Sequence, residues 1–170
     1  LIGSRAVTMV GRAAGLPEHQ LVETSGHEDI ASGSWTIRGL PSIHGKVFGR
    51  IPLPGDITEP PPWPPRIRDL KHGLVLNWVV NTGHLKIMHI DSADFIPEEL
   101  KGIQVDVLCL CAIGRQYRPN YVKEVVALVK PRWIIPCHWD TMMTPIEDEP
   151  DLIPTVDLLG FIEEIRAEGV

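Results

Sequence analysis

No apolar run in the chain approaches the roughly 20 residues that a helix needs to cross a bilayer. The first residues also lack the charged stretch, apolar segment and small-residue cleavage site of a secretory signal. No membrane span is expected. Basic charge is scarce as well, with 16 Lys and Arg against 22 Asp and Glu and a formal net charge of −6. A nucleic-acid surface needs clustered Lys and Arg to displace counterions, and Arg66, Arg68 and Lys71 form the only small basic group. No nucleic-acid partner is expected either. Cysteine is limited to Cys109, Cys111 and Cys137, an odd number placed in apolar, strand-like runs. They read as buried thiols of a cytoplasmic chain, not as a disulfide framework. A Cys-x-Cys zinc site is disfavoured, because Cys109 and Cys111 at i, i+2 would share one face of a packed sheet. Finally, the closely spaced His-x-His or His-x-x-x-His pair that usually anchors a zinc site is absent.

What remains is ordinary globular material: 170 residues, 44% hydrophobic and 22% charged, enough for one domain with its own core. Ala6, Val7, Met9, Val10, Ala13 and Ala14 recur at helical spacing after a candidate N-cap Ser4, with Gly15 and Pro17 as the stop. This predicts a helix over Ser4 to Ala14. Extended chain is predicted for Gln20 to Glu23 and, by alternation about Trp35 and Ile37, for Ser34 to His44. From Gly45 to Arg68 seven prolines surround Trp63, which excludes helix and central strand. Val47, Phe48, Ile51, Leu53 and Trp63 within it want burial, so the stretch reads as an ordered loop covering a site. Gly73 to Asn81 and Leu85 to Ile90 form a hairpin through Asn81-Thr82-Gly83-His84, with His84 exposed in the turn. Val105 to Ile113 reads as a strand covered on both faces. Pro119 opens a helix with Val122, Val125, Val126 and Val129 inward, a strand follows over Trp133 to His138, and a last helix starts near Thr155. That last helix is expected to turn Val156, Leu159, Ile162 and Ile165 inward.

Three apolar segments each deliver a candidate metal ligand to their carboxyl end: His44, Asp91 and His138. Polar groups that carry chemistry collect there because the strand is rigid and the loop after it is open. Two imidazoles and a carboxylate suit Zn²⁺ or another divalent first-row ion. Arg115 suits an anionic substrate group through its planar fork, or equally ties down a loop. Asp140 is a candidate to orient His138 or an adjacent ligand. Trp139 lines a substrate wall or packs in the core, the latter being the commoner use of Trp.

These residues resemble a family. Ile2-Gly3-Ser4, Ser42-Ile43-His44-Gly45, Phe48-Gly49-Arg50-Ile51-Pro52, His89-Ile90-Asp91-Ser92-Ala93-Asp94-Phe95, Ile113-Gly114-Arg115 and Pro136-Cys137-His138-Trp139-Asp140 are similar to the carboxyl-terminal part of a metallo-β-lactamase-fold hydrolase. The nearest branch is that of ascorbate-6-phosphate lactonases and N-acyl-phosphatidylethanolamine phospholipase D. The resemblance implies an αββα sandwich, with residues 1–170 forming the carboxyl-terminal portion of a single domain. It also implies one or two zinc ions and hydrolysis of an ester, lactone, amide or phosphoester in a small-molecule substrate by metal-bound hydroxide. By position His44, Asp91 and His138 match the last three ligands of such a site, with Asp94 as the second candidate for the aspartate because the family's Gly-Asp-Thr-like turn is replaced here by Ile90-Asp91-Ser92. The family's first His-x-His-x-Asp-His element is absent, and Leu1 stands where a chain start would carry methionine. The expectation is therefore a fragment, inactive alone, whose exposed apolar half-sandwich self-associates. The different class kept beside this reading is a non-catalytic module that retains the fold without the metal.

Overall fold

The computed structural model describes residues 1–141 and 143–170. It is a mixed α/β structure of four α-helices and eight strands among the described residues, six of the strands forming one sheet. The chain begins with β1 (Ile2–Gly3), α1 (Arg5–Ala13) and β2 (Val22–Glu23), the two strands pairing in parallel. Ser4 takes the N-cap position, although its side chain makes no capping hydrogen bond. The large sheet follows: β3 (Asp29–Ser32), β4 (Trp35–Ser42), β5 (Val75–Asn81), β6 (Lys86–Ile90), β7 (Val107–Cys111) and β8 (Trp133–Cys137), ordered as they are numbered. Strands β3 to β6 are antiparallel neighbours, whereas β6, β7 and β8 run parallel.

Local chemistry explains the switch. Between β5 and β6 the Thr82 amide donates to the Leu85 carbonyl and the Gly83 amide to Asn81 Oδ1, with Gly83 at φ 86. Such a tight turn reverses the chain into an antiparallel partner. Parallel neighbours need crossovers, supplied by α2 (Pro97–Leu100) and α3 (Tyr121–Val129). Tyr121, Val122, Val125 and Val129 bury the inner stripe of α3, and Lys130 at φ 46 ends it before Pro131. The expected Val122, Val125 and Val129 are in place, and Val126 packs at the margin.

The last helix, α4 (Leu158–Ala167), corrects the sequence reading. It starts later than Thr155, because Asp157 caps it by accepting from the Gly160 amide at 3.0 Å. That start sets the phase: Phe161 and Ile165 are buried, and Leu159, expected inward, is 75% exposed. The proline-rich loop corrects it too. Val47 packs on the core and Ile57 is buried, but Phe48, Ile51, Leu53 and Trp63 remain exposed. The loop is pinned by its backbone instead, with Leu53 and Gly55 carbonyls accepting from the amides of His72 and Gly73 at 3.0 Å each.

The core lies on one face of the sheet. Met88, Ile90, Leu108 and Leu110 are fully buried beneath Phe95 of the loop before α2, Leu100 of α2, Val125 and Val129 of α3 and Phe161 of α4. Each such side chain contributes about 1.5–3 kcal/mol by leaving water. Residues of opposite parity, including Trp78, His89, Cys109 and Ile135, register across the other face. Among the described residues no helix is long and apolar enough to cross a membrane.

Candidate functional site

Strand direction decides what meets what. Two antiparallel steps make β4 run the same way as β6, so the carboxyl ends of β4, β6, β7 and β8 lie at one end of the sheet. His44, Asp91 and His138 follow three of those ends. The amino end of β5 lies there too, since Ser42 pairs with Val75, and His72 precedes it.

The Asp91–Ser92 corner is the meeting point. His138 Nδ1 stands 3.3 Å from the Asp91 carbonyl oxygen and 3.7 Å from Cys111 Sγ. On the other side His44 Nδ1 lies 3.1 Å from Ser92 Oγ and 2.7 Å from the Gly45 carbonyl. The Gly45 amide donates to the same Ser92 hydroxyl at 2.6 Å. This approach requires glycine: a Cβ on Gly45 would sit 3.0 Å from the Ala93 carbonyl carbon. Gly114, at φ 84 after β7, likewise lets the Lys46 carbonyl press where a side chain would be. Loops after β4, β6 and β7 are thereby locked together.

His138 itself adopts φ 52, a left-handed conformation that costs a non-glycine residue about 1 kcal/mol. Strain of this kind concentrates at functional positions. The Asp91 side chain is 68% exposed, 4.0 Å from His89 Nε2. Asp94, by contrast, is committed to structure: Arg118 holds it, the Phe95 amide donates to it, and the same guanidinium reaches Glu124 at 2.9 Å while stacking 3.7 Å above the Phe95 ring. Arg115 faces α4, with Glu164 at 3.2 Å, Asp157 at 3.5 Å and the Phe161 ring beneath it, so it ties its loop to that helix. Trp139 packs against the core and donates from Nε1 to the Pro136 carbonyl. Asp140 bridges to Leu152 through the backbone.

The thiols differ sharply. Burial pushes Cys111 up to about 12, and the neighbouring Asp91 carboxylate adds to the effect. Cys109, hydrogen-bonded to Cys137 on the adjacent strand, is lowered to about 7, while the Cys137 thiol is raised. The thiolate that forms first is stabilised by the thiol that remains.

Among the described residues no group of three or more His, Cys, Asp or Glu stands ready to hold an ion. His44 and His138 meet the corner separately, one at Ser92 and the other at Asp91. Sequence reasoning read Cys111 only as a buried thiol and missed Ser92 and His72. Ser92 adjoins Asp91, and only the strand directions could have revealed His72. Compared with known proteins, the chain matches no family model and no curated sequence.

Proposed function

We propose that the chain carries part of the centre of a metal-dependent hydrolase of the αββα, metallo-β-lactamase kind, with His44, Asp91 and His138 as ligands. The observation that carries this reading is the arrival of all three at the Asp91–Ser92 corner from separate strands. The donor chemistry fits zinc. His44 Nδ1 is engaged by an acceptor-only carbonyl, which leaves its Nε2 as the lone-pair atom, and the Asp91 carboxylate is accessible. Asp94 is the weaker ligand candidate because Arg118 already neutralises it. Zinc bound there supplies a water with a pKa of about 7 and polarises a carbonyl or phosphoryl oxygen.

The rest of the sandwich reading draws on the half-exposed Trp133 and Ile135, which suit a second sheet packed over that face, and on a small-molecule substrate entering at the loop edge. Without a covering sheet, the same apolar residues favour association into a homo-oligomer. Asp140, two residues beyond His138, orients the loop that carries it. Arg115 belongs to the catalytic set only if its α4 carboxylates release it.

Zinc stoichiometry, together with turnover of a generic ester and a phosphodiester, tests the proposal on the chain and with any flanking polypeptide present. Zinc binding that is lost in His44→Ala and His138→Ala supports it. A metal-free, inactive protein in both settings ends it. One observation favours a second reading, a non-catalytic module: no closed three-ligand group exists among the described residues. On that reading the two substitutions change neither zinc binding nor thermal stability.

A further inference from the structure

The loop that leaves His44 returns to the same end of the sheet carrying another histidine. The His44 and His72 rings lie 5.3 Å apart, centroid to centroid, and tilt by 34°. Each is held in the same way, with Nδ1 2.7 Å from the carbonyl of the glycine that follows it, Gly45 or Gly73. A carbonyl only accepts, so both Nδ1 atoms carry the proton and both Nε2 atoms carry a lone pair. Both residues are half-buried.

Their supports are independent of each other. Ser92 fixes the His44 side through the Gly45 amide. The His72 side is fixed by the His72 and Gly73 amides bonding Leu53 and Gly55 carbonyls, and by Ala6 of α1 packing where a Gly73 side chain would be. Two rigid seats, 28 residues apart in sequence, thus present two imidazoles of one tautomer to each other.

The spacing has a chemical meaning. With metal–nitrogen distances of about 2.0–2.1 Å and a near-tetrahedral angle, two ligating imidazoles have centroids roughly 5 Å apart. We propose that His72 is a further ligand of this centre, pairing with His44 to take a first-row divalent cation through both Nε2 atoms. The inference rests on the reading of His44 as a ligand, and it adds a residue that neither the sequence pattern nor the resemblance supplied. Two protein ligands leave the remaining positions to water, since no third His, Cys, Asp or Glu among the described residues groups with them.

Titration of the full chain with Ni²⁺, followed by calorimetry and by ¹H–¹⁵N spectra of the imidazole rings, tests it without reference to activity. In the unsubstituted protein, Ni²⁺ should broaden the ring signals of His72 and His44 together and leave those of exposed His84 sharp. His72→Gln should weaken Ni²⁺ binding roughly tenfold or more, about 1.4 kcal/mol, while His84→Gln leaves it unchanged. If His72→Gln binds like the unsubstituted protein, and the His72 ring signals of the unsubstituted protein stay sharp with Ni²⁺ while His138→Gln loses the ion, this inference falls and the His44, Asp91, His138 set stands. If His72→Gln loses the ion and His138→Gln does not, the His44–His72 pair stands and the role of His138 falls. No binding of Ni²⁺ by the unsubstituted protein overturns both.

Discussion

The two faces of the six-stranded sheet are built from the same strands and behave as different materials. One face carries Met88, Ile90, Leu108 and Leu110, each without solvent exposure beneath helices. The other carries His89, Cys109, Trp133 and Ile135, of which the last two are 49% and 51% exposed. Alternation along a strand sends neighbours to opposite faces, so residues one step apart in sequence live in unlike surroundings. The covered face supplies stability, and the uncovered face and the sheet end supply reactive groups.

The largest expected effect separates the faces directly. Leu110→Ala should cost about 3–4 kcal/mol in urea unfolding, through lost burial and the cavity left behind. Ile135→Ala should cost under about 1 kcal/mol, because half of that side chain already meets water. An equal loss at both positions would break the comparison and mean that the second face is covered in solution.

Smaller is Arg118→Ala, expected at about 2 kcal/mol. It strands Asp94 and Glu124, which are partly solvated, and removes the stacking on Phe95. The same variant sharpens the ligand assignment: with Asp94 released, metal affinity should change only if Asp94, and not Asp91, belongs to the site.

Smallest in stability, and clearest in chemistry, is thiol labelling. Cys109, lowered to about 7 by its hydrogen bond with Cys137, should be alkylated at a rate that rises through pH 7. Cys111, raised to about 12, should stay unlabelled in the folded protein. The sign for Cys111 follows from its raised folded value. The native state favours the protonated thiol, so its contribution is full below the ordinary value near 9 and is lost as pH rises towards 12. Mass spectrometry of peptides labelled at pH 7.5 distinguishes the two cysteines.

Much of the fold was legible because particular residues left strong local signals. Asn81-Thr82-Gly83 announces the hairpin, the valine stripe announces α3, and the apolar run around Leu108 announces a strand, but the expected cover on both faces is not met, since Val107 and Cys109 are only half-buried. β3 was not legible: Asp29-Ile30-Ala31-Ser32 has no apolar alternation, and it is held by backbone pairing and the Arg38–Asp29 ion pair. The phase of α4 depended on a side-chain cap at Asp157 that spacing alone did not locate. Among the candidate residues, His44, Asp91 and His138 were legible as a set because each ends an apolar run. His72 escaped because it stands before a strand, and only the antiparallel direction of β5 brings a strand start to the end of the sheet where His44, Asp91 and His138 lie.

The glycine-locked corner also bears on how the protein folds. The Ser92–His44 and Asp91–His138 contacts join residues 48 and 47 positions apart, so each must close a long loop before it returns any energy. The β5–β6 hairpin needs no such closure, and α3 forms within its own segment. Both contacts therefore depend on the sheet being assembled, and hydrogen exchange at Gly45, whose amide bonds Ser92, should report opening of the β4–β6 corner and not fraying of a single strand.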